Sequence, residues 1–216
     1  MADSKTEKMQ KSVQQRLIDA AFELFLEEDY NTVTTRKLAL KANTSASMIS
    51  YYFGDKQKLY NEMVREQFRS IAQALEQSYT DDKGLDFSVL MLKYLEIHNK
   101  NPDFPAFITK ILAYKNGPGY MLFAEILDNK RDLIQKIMKK SQLTKHMSEE
   151  VDIDVLRITM MSMTVFPFLI KGVLEHSTRM NMDQQLMEKV ARFTGEILNT
   201  HTKPSADNTW LNLNKH

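Results

Sequence analysis

Helix breakers are scarce in this chain, and they are placed unevenly. All five prolines lie at or after Pro102, and only six glycines occur in 216 residues. Nothing in the first hundred residues is therefore forced to break by proline. A chain so poor in turn residues reads as all-α, because doubly wound sheets and sandwiches need more turn glycines. At about 150 residues per domain the length allows one or two domains. There is no cysteine, which excludes disulfide scaffolds, Cys-ligated zinc, iron–sulfur clusters and thiol catalysis.

Helical periodicity then maps the chain. Ser12 caps a first helix whose apolar positions are Val13, Leu17, Ile18, Ala21, Phe22, Leu24 and Phe25. Thr34 caps a short second helix that turns Leu38 and Ala39 inward. A break at Ala42-Asn43-Thr44 follows, and Ser45 caps a third short helix carrying Ile49 and closed by Tyr52 and Phe53. Gly54-Asp55 starts a long helix with Leu59, Met63, Phe68, Ile71 and Leu75 on one face, ending near Tyr79 before a loop at Asp81–Gly84. Beyond it, helices are expected over Phe87–Ile97, Phe104–Tyr114, Tyr120–Leu143, Ser148–His176 and Met182–Thr200. The expected division is a loose arm at 1–11, a first helical unit at 12–58, a second helical unit at 59–200 and a polar tail at 201–216.

Two short helices around a tight turn outline a helix-turn-helix, with Asn43 as the residue that tolerates a left-handed backbone. The overall charge is only +1, yet Asn31–Tyr60 holds Arg36, Lys37, Lys41, Lys56 and Lys58 against the single acid Asp55, a net +4. Concentrated positive charge is what phosphate attraction requires. Ser45, Ala46, Ser47 and Ser50 leave room for close approach to a groove, and Tyr51 and Tyr52 offer hydroxyls to phosphate. The helix N-termini at Thr34 and Asp55 favour anions.

The run Leu17-Ile18-Asp19-Ala20-Ala21-Phe22-Glu23-Leu24-Phe25 resembles the first helix of the TetR family of bacterial transcriptional regulators, Ile-Leu-Asp-Ala-Ala-x-x-Leu-Phe. Thr-Thr-Arg-Lys-Leu-Ala at Thr34–Ala39 and the aromatic group Tyr51-Tyr52-Phe53 match in order. Asp29-Tyr30 stands where the family has Gly-Tyr, Ala42-Asn43-Thr44 where it has Ala-Gly-Val, and Met48-Ile49-Ser50 where it has Thr-Leu-Tyr. The likeness runs from about Gln15 to Leu59. It implies a three-helix DNA-binding domain joined through a long helix to a helical ligand-binding and dimerisation domain. It also implies DNA contacts from Thr34, Thr35, Arg36, Ser45, Ala46, Ser47, Met48, Ser50, Tyr51, Tyr52 and Lys56, the last touching a phosphate.

The resemblance further implies a homodimer on an inverted-repeat operator in double-stranded DNA, commonly as a repressor released by a small effector; an activator or dual regulator remains open. Val155, Leu169, Val173, Leu174, Leu186, Val190, Phe193 and Ile197 are candidates for either core or dimer interface. For the effector pocket the candidates are Phe104, Phe107, Tyr114, Tyr120, Phe123, Met160, Met163, Phe166 and Pro167. Methionine adapts to irregular cavities, and a proline inside an apolar helix can open one. Such a pocket suits an apolar effector.

Other classes find little support. No Walker loop, GxGxxG, GxSxG or HExxH motif is present, so no enzyme activity, cofactor or catalytic residue is expected. No metal site is expected either: His146 beside Glu149 and Glu150 reads as a solvated turn. The polar start carries no export signal, and the apolar stretch Ile158–Ile170 is shorter than a membrane span, so a cytoplasmic protein without membrane contact is expected. A helical protein-binding adaptor is the rival reading, and it leaves the +4 patch unused.

Overall fold

The computed structural model describes residues 12–177 and 180–204. The expected arm at 1–11 and most of the tail at 201–216 lie outside that range. The described residues form nine α-helices and one short hairpin, in the order α1 (Val13–Glu27), α2 (Thr35–Lys41), α3 (Ser47–Phe53), α4 (Lys56–Gln77), β1 (Tyr79–Thr80), β2 (Gly84–Leu85), α5 (Phe87–Lys100), α6 (Phe104–Ala113), α7 (Pro118–Leu143), α8 (Ile153–Ser177) and α9 (Gln184–Thr202). The fold is all-α, as the shortage of breakers implies. The antiparallel pair of two-residue strands flanks the stretch expected as loop.

Local chemistry sets the helix starts. Ser12 Oγ accepts from the Gln15 N–H at 3.1 Å, Asp55 Oδ1 from Lys58 N–H at 2.8 Å and Asp183 Oδ1 from Leu186 N–H at 2.9 Å. Such caps each contribute about 1 kcal/mol. Asp152 Oδ1 accepts from the Asp154 and Val155 N–H groups, so α8 begins at Ile153, five residues later than periodicity implied. Pro118 is the first residue of α7, two residues before the expected start at Tyr120, because the first turn needs no N–H there.

Two compact units emerge. The first comprises the chain up to Gln67 with Ile111–Phe123, and the second comprises Phe68–Lys110 with the chain from Ala124 on. The division falls inside α4, between Gln67 and Phe68, and Leu59, Tyr60, Met63 and Val64 of α4 are buried residues of the first unit. In that unit α1, α2 and α3 pack on one another around Leu17, Ala21, Phe25, Leu38 and Ile49. The rings of Phe25, Tyr30 and Tyr60 form a cluster with centroids 4.8–5.6 Å apart. Burial there pushes the Tyr60 pKa up to about 12. Gly119 lies against the Tyr60 hydroxyl, where a Cβ would collide with it.

In the second unit the main packing is α5 against α9. Gly195 lets the helices approach: a Cβ there would lie 2.7 Å from the Ser88 backbone nitrogen and 2.9 Å from the Phe87 carbonyl oxygen. Asn199 stitches the same contact. Its Oδ1 accepts from the Phe87 N–H at 3.0 Å, and its amide donates to Asp86 Oδ1 and Ser88 Oγ. Around this spine lies a core that includes Leu90, Leu95, Met138, Leu156, Met160 and Leu198. The Thr202 carbonyl accepts from the Ser148 N–H at 2.8 Å, which carries α9 past residue 200.

The faces of α8 differ. Leu156 and Met160 are buried, while Val155, Ile158, Phe166, Leu169 and Val173 are exposed. By length and composition alone α8 is long and apolar enough to cross a bilayer, while its charge-free stretch remains Ile158–Ile170, bounded by Arg157 and Lys171.

Candidate nucleic-acid interface

The helix-turn-helix is built from α2, the turn Ala42–Ala46 and α3. Thr34 Oγ1 caps α2 by accepting from the Lys37 N–H at 3.2 Å. At the turn Asn43 has φ +50°, the left-handed conformation its short polar side chain tolerates. That geometry lets the Thr44 N–H return to the Ala39 carbonyl at 2.9 Å and the Asn43 N–H to the Leu40 carbonyl at 3.1 Å. Arg16 of α1 donates from Nε to the Ala42 carbonyl at 3.0 Å, pinning the turn from outside. Leu38, Ala39, Ala42, Ile49 and Phe53 are buried and fix the two helices.

Ser45 does not cap α3. The helix starts at Ser47, the capping position falls on Ala46 without a side-chain bond, and the Ser45 hydroxyl lies 2.7 Å from that of Ser47. A tight turn, in which the Met48 and Ile49 N–H groups reach the Ser45 and Ala46 carbonyls, replaces the cap.

Outward faces carry most of the residues assigned to DNA. Thr34, Thr35, Arg36, Ser45, Ala46, Ser47, Ser50, Tyr51 and Tyr52 are exposed, and Met48 is half-buried. Tyr51 and Tyr52 meet edge to face at 4.9 Å. Tyr52 and Phe53 also flank an open polar cleft of about 300 Å³ with Gln14, Lys58, Asn61, Glu62 and Arg65.

Lys56 is the exception. Its ammonium donates to the Tyr30 and Val33 carbonyls, each at 2.9 Å, and sits 4.2 Å from the centre of the Tyr30 ring. These contacts use two of its three donors inward, so the lysine ties the start of α4 to the α1–α2 connection.

The +4 field is also smaller than a local count implies. Lys37 pairs with Glu28 at 2.6 Å and Lys41 with Glu23 at 2.6 Å. Donation of a hydrogen bond to the Glu23 carboxylate, reinforced by its charge, raises the Lys41 pKa. Both acids lie on α1, outside the window that gives +4. Lys58 is 4.0 Å from Asp55. Arg36 is exposed and makes no hydrogen bond or ion pair among the described residues.

Leu40, 82% exposed on α2, belongs to this surface and was missed. It falls off the buried periodicity of Leu38, Ala39 and Ala42, which is the signal that could have found it. Arg36 lies one helical turn before it on the same face.

The effector candidates scatter. Met163 and Pro167 line a small cavity of the second unit, together with Met91, Tyr94, Leu95, Thr164, Phe168, Met187, Val190, Ala191 and Thr194. Phe104 and Phe107 of that unit are buried, and Met160 belongs to its core. Phe166 is 58% exposed, because it lies about 100° round α8 from Pro167. Tyr114, Tyr120 and Phe123 lie on the Ile111–Phe123 stretch of the first unit: Phe123 is buried, Tyr120 half-buried and Tyr114 exposed. Periodicity on α8 alone could not disclose the α5 and α9 walls. His146 spends its Nδ1 on the Thr144 hydroxyl at 2.9 Å.

Comparison with known proteins agrees with this geometry. A family model described as bacterial regulatory proteins, tetR family, matches residues 17–63. No curated protein matches the chain in sequence. Solved structures of similar fold include the fatty acid degradation regulator FadR of Bacillus halodurans, at 13% identity and a TM-score of 0.62 over 88% of this chain and 96% of that one. GusR of Salmonella enterica is similar at 13% identity and a TM-score of 0.65, covering 91% and 99%. A TetR-family transcriptional regulator of Haemophilus influenzae is similar at 17% identity and a TM-score of 0.61, covering 86% and 98%. Falling on the segment that holds the helix-turn-helix, the match over residues 17–63 shows that this segment is similar to the tetR family of bacterial regulatory proteins, and the solved structures share its all-α fold.

Proposed function

We propose that the chain is a cytoplasmic, ligand-responsive repressor that binds a palindromic operator as a homodimer and leaves it when a small apolar effector enters the second unit. The observation that carries this reading is the stripe of exposed apolar residues on α8. Val155 and Ile158, and then Leu169 and Val173, are exposed at helical spacing with no cover among the described residues. An exposed apolar face of this kind marks an interaction surface. A second copy covers it, with Phe193 of α9, also exposed, at the same interface. Leu174, Leu186, Val190 and Ile197 are partly buried within the subunit and belong to its own packing.

One helix-turn-helix reads only a few base pairs, so two copies reading half-sites one helical turn apart, about 34–36 Å, supply the specificity. Thr35, Arg36, Ser47, Ser50 and Tyr51 are the groups offered to each half-site, the hydroxyls and the guanidinium reaching phosphate and base edges. Because α4 is unbroken from Lys56 to Gln77, a shift at its far end moves the end next to α3. An effector favouring the shifted state by about 1–3 kcal/mol then changes the half-site spacing and releases the operator.

The test is selection of duplexes from a random pool by the purified protein, followed by binding titrations against salt. An inverted repeat, with affinity falling steeply as salt rises, supports the reading. Recovery of no sequence, or salt-insensitive behaviour, favours the protein-binding adaptor. Ile158→Glu with Val173→Glu is expected to give a folded monomer by sedimentation that has lost the selected operator. A double variant that stays dimeric would remove α8 from the interface.

A further inference from the structure

Buried side-chain polar atoms in folded proteins are almost always hydrogen-bonded, and an exception calls for a reason. His98 of α5 is such an exception. It is 3% exposed, and its Nδ1 has no hydrogen-bond partner among the described residues. Its ring packs against two aromatic rings, Phe168 at 4.4 Å and Phe104 at 5.7 Å between centres. Leaving such an atom unpaired forfeits its hydration without replacement.

Phe168 connects this histidine to empty space. Its other neighbours include the walls of the cavity beside Pro167, which has a volume of about 20 Å³, room for one water. Three of those walls are the methionines Met91, Met163 and Met187, whose unbranched side chains re-pack at low cost. Pro167 has no N–H, so the Met163 carbonyl lacks its usual helical donor. No lining residue is charged, while the hydroxyls of Tyr94 and Thr194 line the space without a hydrogen bond among the described residues. A charged headgroup entering here would find no counter-charge and would lose its hydration, a cost of several kcal/mol. A neutral headgroup would find a neutral imidazole, since burial holds the His98 pKa down at about 4.

We propose that this cavity is the closed form of a binding site for an uncharged amphiphile, a hydrocarbon body with one hydroxyl or carbonyl head. The body displaces the Met163 and Met187 side chains, the Phe168 ring turns aside, and the head makes a hydrogen bond with His98 Nδ1. The proposal names the ligand class for the effector reading above and rests on that reading for its role in regulation.

The experiment uses the full chain with ¹³C-methyl methionine and ¹⁵N histidine, titrated with 1-decanol, decanoate and decylammonium as probes of equal length. Decanol is expected to shift the Met91, Met163 and Met187 methyl signals and the His98 Nδ1 resonance together and saturably, with the two charged probes at least tenfold weaker. His98→Phe keeps the ring stack and is expected to weaken decanol about tenfold, the worth of one hydrogen bond. Ala191→Leu, which fills the cavity, should abolish binding. Equal affinity for decanoate, unchanged decanol affinity in His98→Phe, or shifts confined to other methionines would overturn the site; should the variants not fold, the wild-type head-group ranking and the Nδ1 shift decide it. If decanol binds as described but leaves operator affinity unchanged, the site stands and the effector reading falls. If a charged molecule releases the operator while decanol moves none of the three methyls, the regulator stands and the proposed site falls.

Discussion

In the helix-turn-helix unit, four of the five cations between Asn31 and Tyr60 are held by partners of the same unit: Lys37 by Glu28, Lys41 by Glu23, Lys58 near Asp55 and Lys56 on two carbonyls. In the second unit the imbalance is apolar. Ile158 is 66% exposed and Val173 62%, while nearby Leu156 and Met160 are buried. The first unit thus satisfies its charges internally and offers hydroxyls, rings and Arg36 outward. The second leaves part of its apolar surface for another molecule. Net charge and total hydrophobicity measure neither of these; what counts is which groups remain without a partner after the unit has folded.

The largest effect should come from the closest helix contact of the second unit. Gly195→Ala places a methyl group against the Ser88 and Phe87 backbone, which cannot rotate away as a side chain can. Overpacking of this kind costs about 3 kcal/mol. For a chain of this size that is a fall in melting temperature of roughly 6–12 °C by calorimetry. Gly119→Ala in the first unit meets the Tyr60 hydroxyl and Ile111 Cγ1, side-chain atoms with some freedom, and should cost about 1–2 kcal/mol. Equal losses would mean that the two glycines do the same job.

Acid should separate the units next. The His98 pKa is lowered from 6.5 to about 4 by burial, so the folded state binds fewer protons than the unfolded one in that interval. The linked stability is complete above pH 6.5 and is lost as pH falls toward 4, at about 1.4 kcal/mol per unit, roughly 3 kcal/mol in all. Urea unfolding of the wild type and of His98→Phe across pH 4–7 measures this difference. Parallel curves would mean that the imidazole is hydrated in solution.

Lys56 and Arg36 set two kinds of cation against each other. Lys56→Met leaves the Tyr30 and Val33 carbonyls short of a donor and removes the contact with the Tyr30 ring, at a cost of about 2 kcal/mol in stability. It should leave the salt slope of operator binding unchanged. Arg36→Ala should leave stability unchanged and lower that slope by about 1. The opposite pattern would return Lys56 to the DNA surface.

These residues also mark what the sequence could disclose. The helix-turn-helix was legible because its signals are local: Ser12, Thr34 and Asp55 cap within three residues, Asn43 bends where the turn requires it, and Leu38, Ala39 and Ile49 keep their period. The fate of Lys56 was not legible, since its acceptors lie 23 and 26 residues earlier in the chain. On α8, periodicity gave an apolar helix but could not say which side the subunit covers, so Leu174 and Val173 looked alike. The cavity walls come from α5, α8 and α9, and only the fold brings Met91, Pro167 and Met187 together.

The smallest effect sharpens the charge comparison. Glu23→Gln and Glu28→Gln remove the acids that engage Lys41 and Lys37 without touching the buried residues of α1, which are Leu17, Ile18, Ala20, Ala21 and Phe25. Both pairs are exposed, so folding should hardly notice their loss. DNA binding should notice it slightly. Two lysines return to the positive field, and affinity for any duplex should rise two- to threefold at low salt, a gain that disappears as ionic strength increases. The gain should be sequence-independent, because exposed ammonium groups attract phosphate without reading bases. An increase confined to the selected operator would instead place Lys37 or Lys41 on a base edge and make α2 part of the reading surface.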